Sequence, residues 1–252
     1  MKSFYTADEE VMQGIRIKET HTGYVTANMV ALAHELGMTE HDTALAEIMG
    51  LFHDVGRFRQ YSMYKTFNDA QSEDHAALAL TVLDELSFMK KLAPEDEALV
   101  RFAIKNHNKK TIEPTDDRRA LLFAKMLRDA DKLDIYRVLA PFLDESHADE
   151  APQFIKGLNS QRVSESFLAA LVEGRQADYH AIKTHGDRKV VRLLWVYDIN
   201  FAWTMRKIVE RGYVDRVIHA LPHGRELTIG FQKLKSYVAQ KCAGQDRLAD
   251  FL

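Results

Sequence analysis

Apolar residues along the chain recur at helical spacing, and a period of two is nowhere sustained. Val25, Met29, Leu32, Ala33 and Leu36 share one face, which predicts a helix from about Asp8 to Leu36 with Gly37 as its C-cap. Thr39, three residues before Asp42, is placed to cap a second helix. That helix carries Ala44, Leu45, Ile48, Met49 and Phe52 and is expected to end around Val55 and Gly56. Residues 57–70 lose the period, are rich in aromatic and basic side chains, and read as a loop or broken helix. Helical signals return from Ser72 to about Phe88, from Pro94 to about Asn106 and from Asp116 to Leu139. Proline followed by Glu95, Asp96 and Glu97 suits a helix start, because acids favour the positive end of the dipole. Residues 144–162 are polar and read as an excursion, after which long patterns cover 189–211, stopped by Gly212, and 225–252. The expectation is an all-α, single-domain helical bundle over 1–252, with a core at about 15–140 and a C-terminal helical extension at about 141–252.

Composition agrees with few tight turns. The 12 glycines and 5 prolines amount to about 7% of the chain, against an ordinary ~12%. A net charge of −3 gives no global attraction to a nucleic-acid polymer or an anionic membrane. The amino-terminal MKSFYTADEEVMQG lacks the apolar run of a signal peptide, and no stretch approaches ~18 apolar residues. A cytoplasmic chain that contacts neither nucleic-acid polymer nor membrane is expected. Cys242, the single cysteine, excludes an intrachain disulfide framework and a cysteine-based zinc cluster. That leaves the 11 histidines as the residues to follow, since imidazole is the commonest metal ligand.

His53 and Asp54 are adjacent, at the end of the second predicted helix, in GLFHDVGRF. His21 lies on the first helix, His75 opens the third, His107 ends the fourth and Asp131 is on the fifth. The spacings are about one helix plus one connection each, so a bundle can pool these ligands at one centre. Four imidazoles and two carboxylates are too many for one tetrahedral ion but enough for two ions that share a carboxylate. Asp54 is the natural bridge. Two ions about 3.5–4 Å apart can activate a water and neutralise a phosphoryl oxygen. This donor set suits Mn, Fe, Co, Ni or Zn; magnesium would want mostly oxygen.

His21, the pair His53-Asp54 and Asp131 resemble the H…HD…D signature of the HD-domain superfamily of metal-dependent phosphohydrolases. LFHDVGRF is close to that family's HDIG-type string, and RDADKLD is similar to its ADxL segment, which selects Asp131 over Asp129 and Asp134. With His75 and His107 added, the pattern resembles the subset that binds two metals, among them cyclic-dinucleotide and cyclic-nucleotide phosphodiesterases. The resemblance covers roughly 15–140 and implies an all-helical bundle. It implies one metal held by His21, His53, Asp54 and Asp131 and another by Asp54, His75 and His107. It further implies hydrolysis of a phosphomonoester, phosphodiester or pyrophosphate bond in a small, nucleotide-like phosphorylated substrate by metal-activated water. The glutamate that many one-metal members carry after HD is absent, and Arg57 stands where the two-metal members usually have lysine. A diiron oxygenase related to myo-inositol oxygenase, or a non-catalytic regulatory HD domain, is compatible with the same ligands.

Arg57, just beyond the HD pair, is the expected phosphate clamp and, with Asp54, the expected catalytic residue. Lys65 and Asn68, in the irregular stretch between two ligand-bearing helices, and Lys105, two residues before His107, are further candidates for substrate binding. Tyr24 is expected in the core. Trp195, Tyr197, Phe201 and Trp203 read as a buried packing face or a homodimer interface, and the other seven histidines as surface or incidental residues.

Overall fold

The computed structural model describes residues 4–143 and 160–252, so most of the expected polar excursion at 144–162 lies outside the described residues. The fold is all-α, with no strand among the described residues. Two compact units are formed, one of residues 1–134 with 247–252 and the other of residues 135–246.

In the first unit, α1 (Glu9–Glu35) opens where Asp8 Oδ1 accepts from the Val11 amide at 3.2 Å, and it ends at Gly37, whose φ of +67° gives the left-handed turn. Thr39 accepts from the Asp42 amide at 3.1 Å, as its spacing predicts, and starts α2 (Glu40–Phe52). Two residues later α3 (Val55–Tyr64) begins. The loop or broken helix expected at 57–70 is therefore helical up to Tyr64. Its period is hidden because the buried positions are Gly56, Phe58 and Gln60, only one of them a large apolar residue.

Helix α4 (His75–Asp84) is shorter than the expected 72–88, because Asp74 caps its first turn by accepting from the Ala76 amide. Helix α5 (Pro94–Asn106) has the expected bounds and α6 (Arg118–Leu139) nearly so. The core between them holds Met29, Leu32, Met49, Ile104, Phe123 and Met126, all fully buried. Each such side chain contributes about 1.5–3 kcal/mol of burial. Tyr24, by contrast, is 47% exposed and is not a core residue.

Helices α1 and α2 pack together, as do α3 and α4, α4 and α5, and α2 and α5. Two glycines set how close they come. A Cβ at Gly50 of α2 would lie 2.7 Å from the Thr26 Cα of α1. A Cβ at Gly56 of α3 would lie 2.2 Å from the His75 carbonyl oxygen and 2.5 Å from the Ala79 nitrogen of α4. Both contacts are with backbone, which cannot swing away. Gly50 and Gly56 flank His53-Asp54, so they bring the helices carrying His21 and His75 onto that pair.

The second unit contains α7 (Glu165–Glu173), α8 (His185–Leu194), α9 (Ala202–Glu210), α10 (Tyr213–His219) and α11 (Arg225–Cys242). The single helix expected over 189–211 is broken at 195–201. Asp246 accepts from the Ala202 and Trp203 amides at 2.9 and 2.8 Å, which gives α9 a start of its own. Likewise, the pattern over 225–252 stops at Cys242. Phe201 and Trp203 are buried within this unit, where they form its packing face.

Replacing Gly56 by alanine is expected to cost about 3 kcal/mol, since neither backbone can give way. Gly23→Ala, on the open side of α1 with nothing within 4 Å, should instead stabilise by about 0.5–1 kcal/mol. Urea denaturation of the two variants tests this; equal effects would refute the close approach at Gly56.

Candidate metal centre

The residues picked out in the sequence converge from five helices. His21 lies midway along α1, His53 and Asp54 form the corner between α2 and α3, and His75 is the first residue of α4. His107 follows the last residue of α5, and Asp131 lies on α6. The four imidazoles and Asp54 are buried, whereas the Asp131 side chain is 16% exposed and is the member of the group that reaches solvent.

Every one of the four rings is fixed through Nδ1. His53 Nδ1 lies 2.8 Å from the Gly50 carbonyl oxygen and His107 Nδ1 lies 2.7 Å from that of Ile104. His21 Nδ1 lies 2.7 Å from Asp134 Oδ2, and His75 Nδ1 lies 2.6 Å from Asp69 Oδ2. Carbonyls and carboxylates only accept, so each Nδ1 carries the proton and donates it. In a neutral ring Nε2 is then left as a lone pair.

Those lone pairs face one another. His21 Nε2 and His53 Nε2 are 3.3 Å apart, and His75 Nε2 and His107 Nε2 are 3.0 Å apart. Two nitrogens on one metal ion at ~2.1 Å are separated by about 3.0–3.4 Å. The spacing therefore fits a shared cation.

Asp54 divides its oxygens between the pairs. Oδ2 lies 3.6 Å from His21 Nε2 and 3.7 Å from His53 Nε2. Oδ1 lies 3.5 Å from His75 Nε2 and 3.7 Å from His107 Nε2. Asp131 Oδ1 joins the first pair, 3.1 Å from His21 Nε2 and 4.0 Å from His53 Nε2. His21, His53 and Asp54 thus form one group able to hold an ion, and Asp54, His75 and His107 another. Asp69, Asp74 and His75 form a third cluster on paper, but there His75 offers Nδ1, already bonded to Asp69.

The electrostatics prepare the ligand forms. Burial pushes His53 down to about 4, and burial together with Arg57 does the same for His75, so both are neutral near pH 7. Burial and Lys18 pull His21 down, but its hydrogen bonds to Asp131 and Asp134 outweigh them and the net shift is upward. Burial opposes a charge on Asp54, yet Lys18 and then His53, His107 and His75 hold its carboxyl well below the usual range. Asp131 is likewise lowered, against its burial, chiefly by His21.

Several supporting residues escaped the sequence reading. Asp134 is one turn beyond Asp131, Asp69 lies in the loop after α3, and Lys18 is one turn before His21, with its Nζ 2.6 Å from Asp54 Oδ2. Helical spacing from a ligand was the available signal for Asp134 and Lys18. Arg128 closes α5 by donating to the carbonyls of Asn106, Lys109 and Lys110, which steadies the chain around His107.

The proposed substrate contacts are placed as follows. Arg57 Nη1 donates to Gln60 Oε1 at 2.8 Å and to the Phe67 carbonyl and Asp69 Oδ1 at 2.6 Å, while its Nε lies 3.7 Å from Asp54 Oδ1. Lys65 is the left-handed C-cap of α3, φ +56°, and lines a surface cavity of about 400 Å³ with Phe4, Thr6, Asp8, Val11, Ile15 and Ser62. Asn68 caps the short turn at Asp69–Gln71 by accepting from the Ala70 amide, and Lys105 pairs with Glu113. Neither Lys65, Asn68 nor Lys105 bonds to the six ligands. Of the remaining histidines, His34, His41, His219 and His223 are exposed and His185 is half-buried, while the side chains of His147 and His180 lie outside the described residues.

Within a helical bundle, buried imidazoles and carboxylates form clusters that could hold divalent metal. Residues 19–136 match the HD domain, a family whose members are typically metal-dependent phosphohydrolases and in some cases non-catalytic. No curated protein and no solved structure matches the chain with significance. No described helix is long and apolar enough to cross a membrane.

His53 and His75, at about 4 when folded and about 6.5 when unfolded, bind fewer protons in the folded chain between those values. Their contribution to stability is present above about pH 6.5 and is lost as the pH falls towards 4. The raised value of His21 acts in the opposite sense, one ring against two. Metal-free protein is therefore expected to unfold at lower urea concentration at about pH 5 than at about pH 7. A higher midpoint at the acidic pH would contradict the neutral state of the two rings.

Proposed function

We propose that this chain is a metal-dependent phosphohydrolase that holds two divalent transition-metal ions and hydrolyses a phosphoester or pyrophosphate bond of a small, nucleotide-like substrate. The observation that carries the reading is the division of Asp54, one oxygen towards His21 and His53 and the other towards His75 and His107. A carboxylate serving one ion has no need of imidazoles on both oxygens. The imidazole-rich donor set favours Mn, Fe, Co, Ni or Zn over Mg. Ions bound there supply a water activated near neutral pH and positive charge for the phosphoryl oxygens.

The chain's own residues do the rest. Asp54 spans the two halves, and burial of the imidazoles keeps bulk water from the ligand atoms. Asp134 and Asp69 hold His21 and His75 with Nε2 inward, and both increase the basicity of the ring they contact. Arg57 contributes by fixing Asp69, and through it His75; its Nη1 is committed to three acceptors. Asp131, the partly exposed ligand, marks the side from which a phosphate reaches the centre.

Elemental analysis of purified protein is expected to give about two ions per chain. A phosphoester panel under Mn, Co, Ni, Fe and Mg should reveal turnover that His53→Ala and Asp54→Ala abolish together with metal uptake. Asp134→Asn and Asp69→Asn should each lower metal affinity about ten- to a hundredfold. Turnover retained without His53 or Asp54 sinks the mechanism. Oxygen consumption without phosphoester cleavage would assign an oxygenase, and metal content below about half an ion per chain would assign a regulatory domain.

A further inference from the structure

Lys18 is held in place at the centre by two contacts. Its Nζ donates to Asp54 Oδ2 at 2.6 Å, and it lies 5.8 Å from the centroid of the Phe67 ring. Phe67 in turn stacks on Tyr61 at 4.4 Å, and both rings rest against Gly14, one turn before Lys18 on α1. A Cβ at Gly14 would lie 3.2 Å from Phe67 and 3.3 Å from Tyr61, so this side of α1 is shaped to receive the rings that back the lysine. The lysine side chain is 19% exposed, which leaves its ammonium a way out to solvent.

The oxygen that Lys18 contacts is the one facing His21 and His53. On the opposite oxygen, Oδ1, the neighbouring arginine is Arg57, whose Nε is 3.7 Å away and whose Nη1 is bonded elsewhere. The two halves of the centre are thus unequal. One has an ammonium hydrogen-bonded to its carboxylate oxygen, and the other has only a guanidinium at 3.7 Å.

We propose that Lys18 is an exchangeable counter-ion for Asp54: its ammonium occupies Oδ2 while the His21–His53–Asp131 half lacks metal, and it surrenders that oxygen when a divalent ion binds there. The inference rests on the metal reading given under Proposed function. The physical reason is competition. A buried carboxylate left without a cation is strongly disfavoured, so the lysine stabilises the metal-free fold. A divalent ion on the same oxygen repels an ammonium at close range in a poorly screened interior, so the two exclude each other. Lys18 therefore weakens metal binding in this half while protecting the empty site.

The test is calorimetric titration of the metal-free full chain with Mn²⁺, for the parent, Lys18→Met and Lys18→Arg. Lys18→Met should tighten one of the two binding events at least about tenfold and leave the other within about twofold. The metal-free form of this variant should also melt lower than the metal-free parent. Lys18→Arg, which keeps the charge, should bind as weakly as the parent. If Lys18→Met does not fold, Lys18→Gln must show the same gain. Metal affinity unchanged or weaker in the uncharged variant, with the parent still binding, overturns the exchange alone. A parent chain that takes up no metal overturns the metal reading and the exchange with it.

Discussion

Four imidazoles that each donate Nδ1–H to an oxygen acceptor turn their Nε2 atoms towards one another, at 3.0 and 3.3 Å within the pairs. That arrangement suits a shared cation, and much of the first unit is organised to impose it. Two rings are fixed locally by the same device. His53 and His107 each follow the last residue of a helix and donate Nδ1 to a carbonyl three residues back, Gly50 and Ile104. A last-turn carbonyl is short of a partner in any helix, so one hydrogen bond both closes the helix and aims the ligand. The other two rings are fixed at a distance, His21 by Asp134 and His75 by Asp69, and both acceptors are carboxylates. The local pair needs only a helix end; the distant pair needs the bundle to be assembled.

Assembly is governed by Gly50 and Gly56. They lie three residues before His53 and two after Asp54, so the HD pair sits in a corner whose two walls are backbone-to-backbone contacts. Any side chain at either position would push away the helix carrying His21 or the helix carrying His75. The lone-pair separations of 3.0–3.3 Å leave no room for such a shift. Packing density and ligand geometry are here one constraint, because the glycine that admits a neighbouring helix is also the residue that sets how far the imidazoles stand apart.

This explains which parts were legible in the sequence. The six residues that meet at the centre could be picked out because potential ligand types recur on successive helices and because HD and its flanking strings carry a specific resemblance. The helices α1, α2, α5 and α6 were legible because their buried faces are apolar. Helix α3 was not, since its buried face carries Gly56 and Gln60, and Gln60 is buried to bond Asp69, Ser72 and the Glu73 carbonyl. The break between α8 and α9 was hidden for a different reason. Its cap, Asp246, is 44 residues from Ala202, and the pattern within 189–211 does not contain it. Asp69 was missed in the same way, because its role is defined by a contact across the fold, whereas Asp134 and Lys18 stand one helical turn from Asp131 and His21.

A net charge of −3 conceals all of this. Within a few ångströms the centre gathers Asp54, Asp131 and Asp134 with a lysine and an arginine. The two basic residues flank opposite oxygens of Asp54 but are bound differently. Arg57 is tied to three acceptors on α3 and the following loop, so its departure would loosen Asp69 and with it His75. Lys18 is held by one carboxylate oxygen and one ring face. A buried carboxylate is strongly disfavoured without positive charge beside it. The fold meets that need with one cation that is part of the scaffold and one that can leave, and the difference lies in what else each of them is holding.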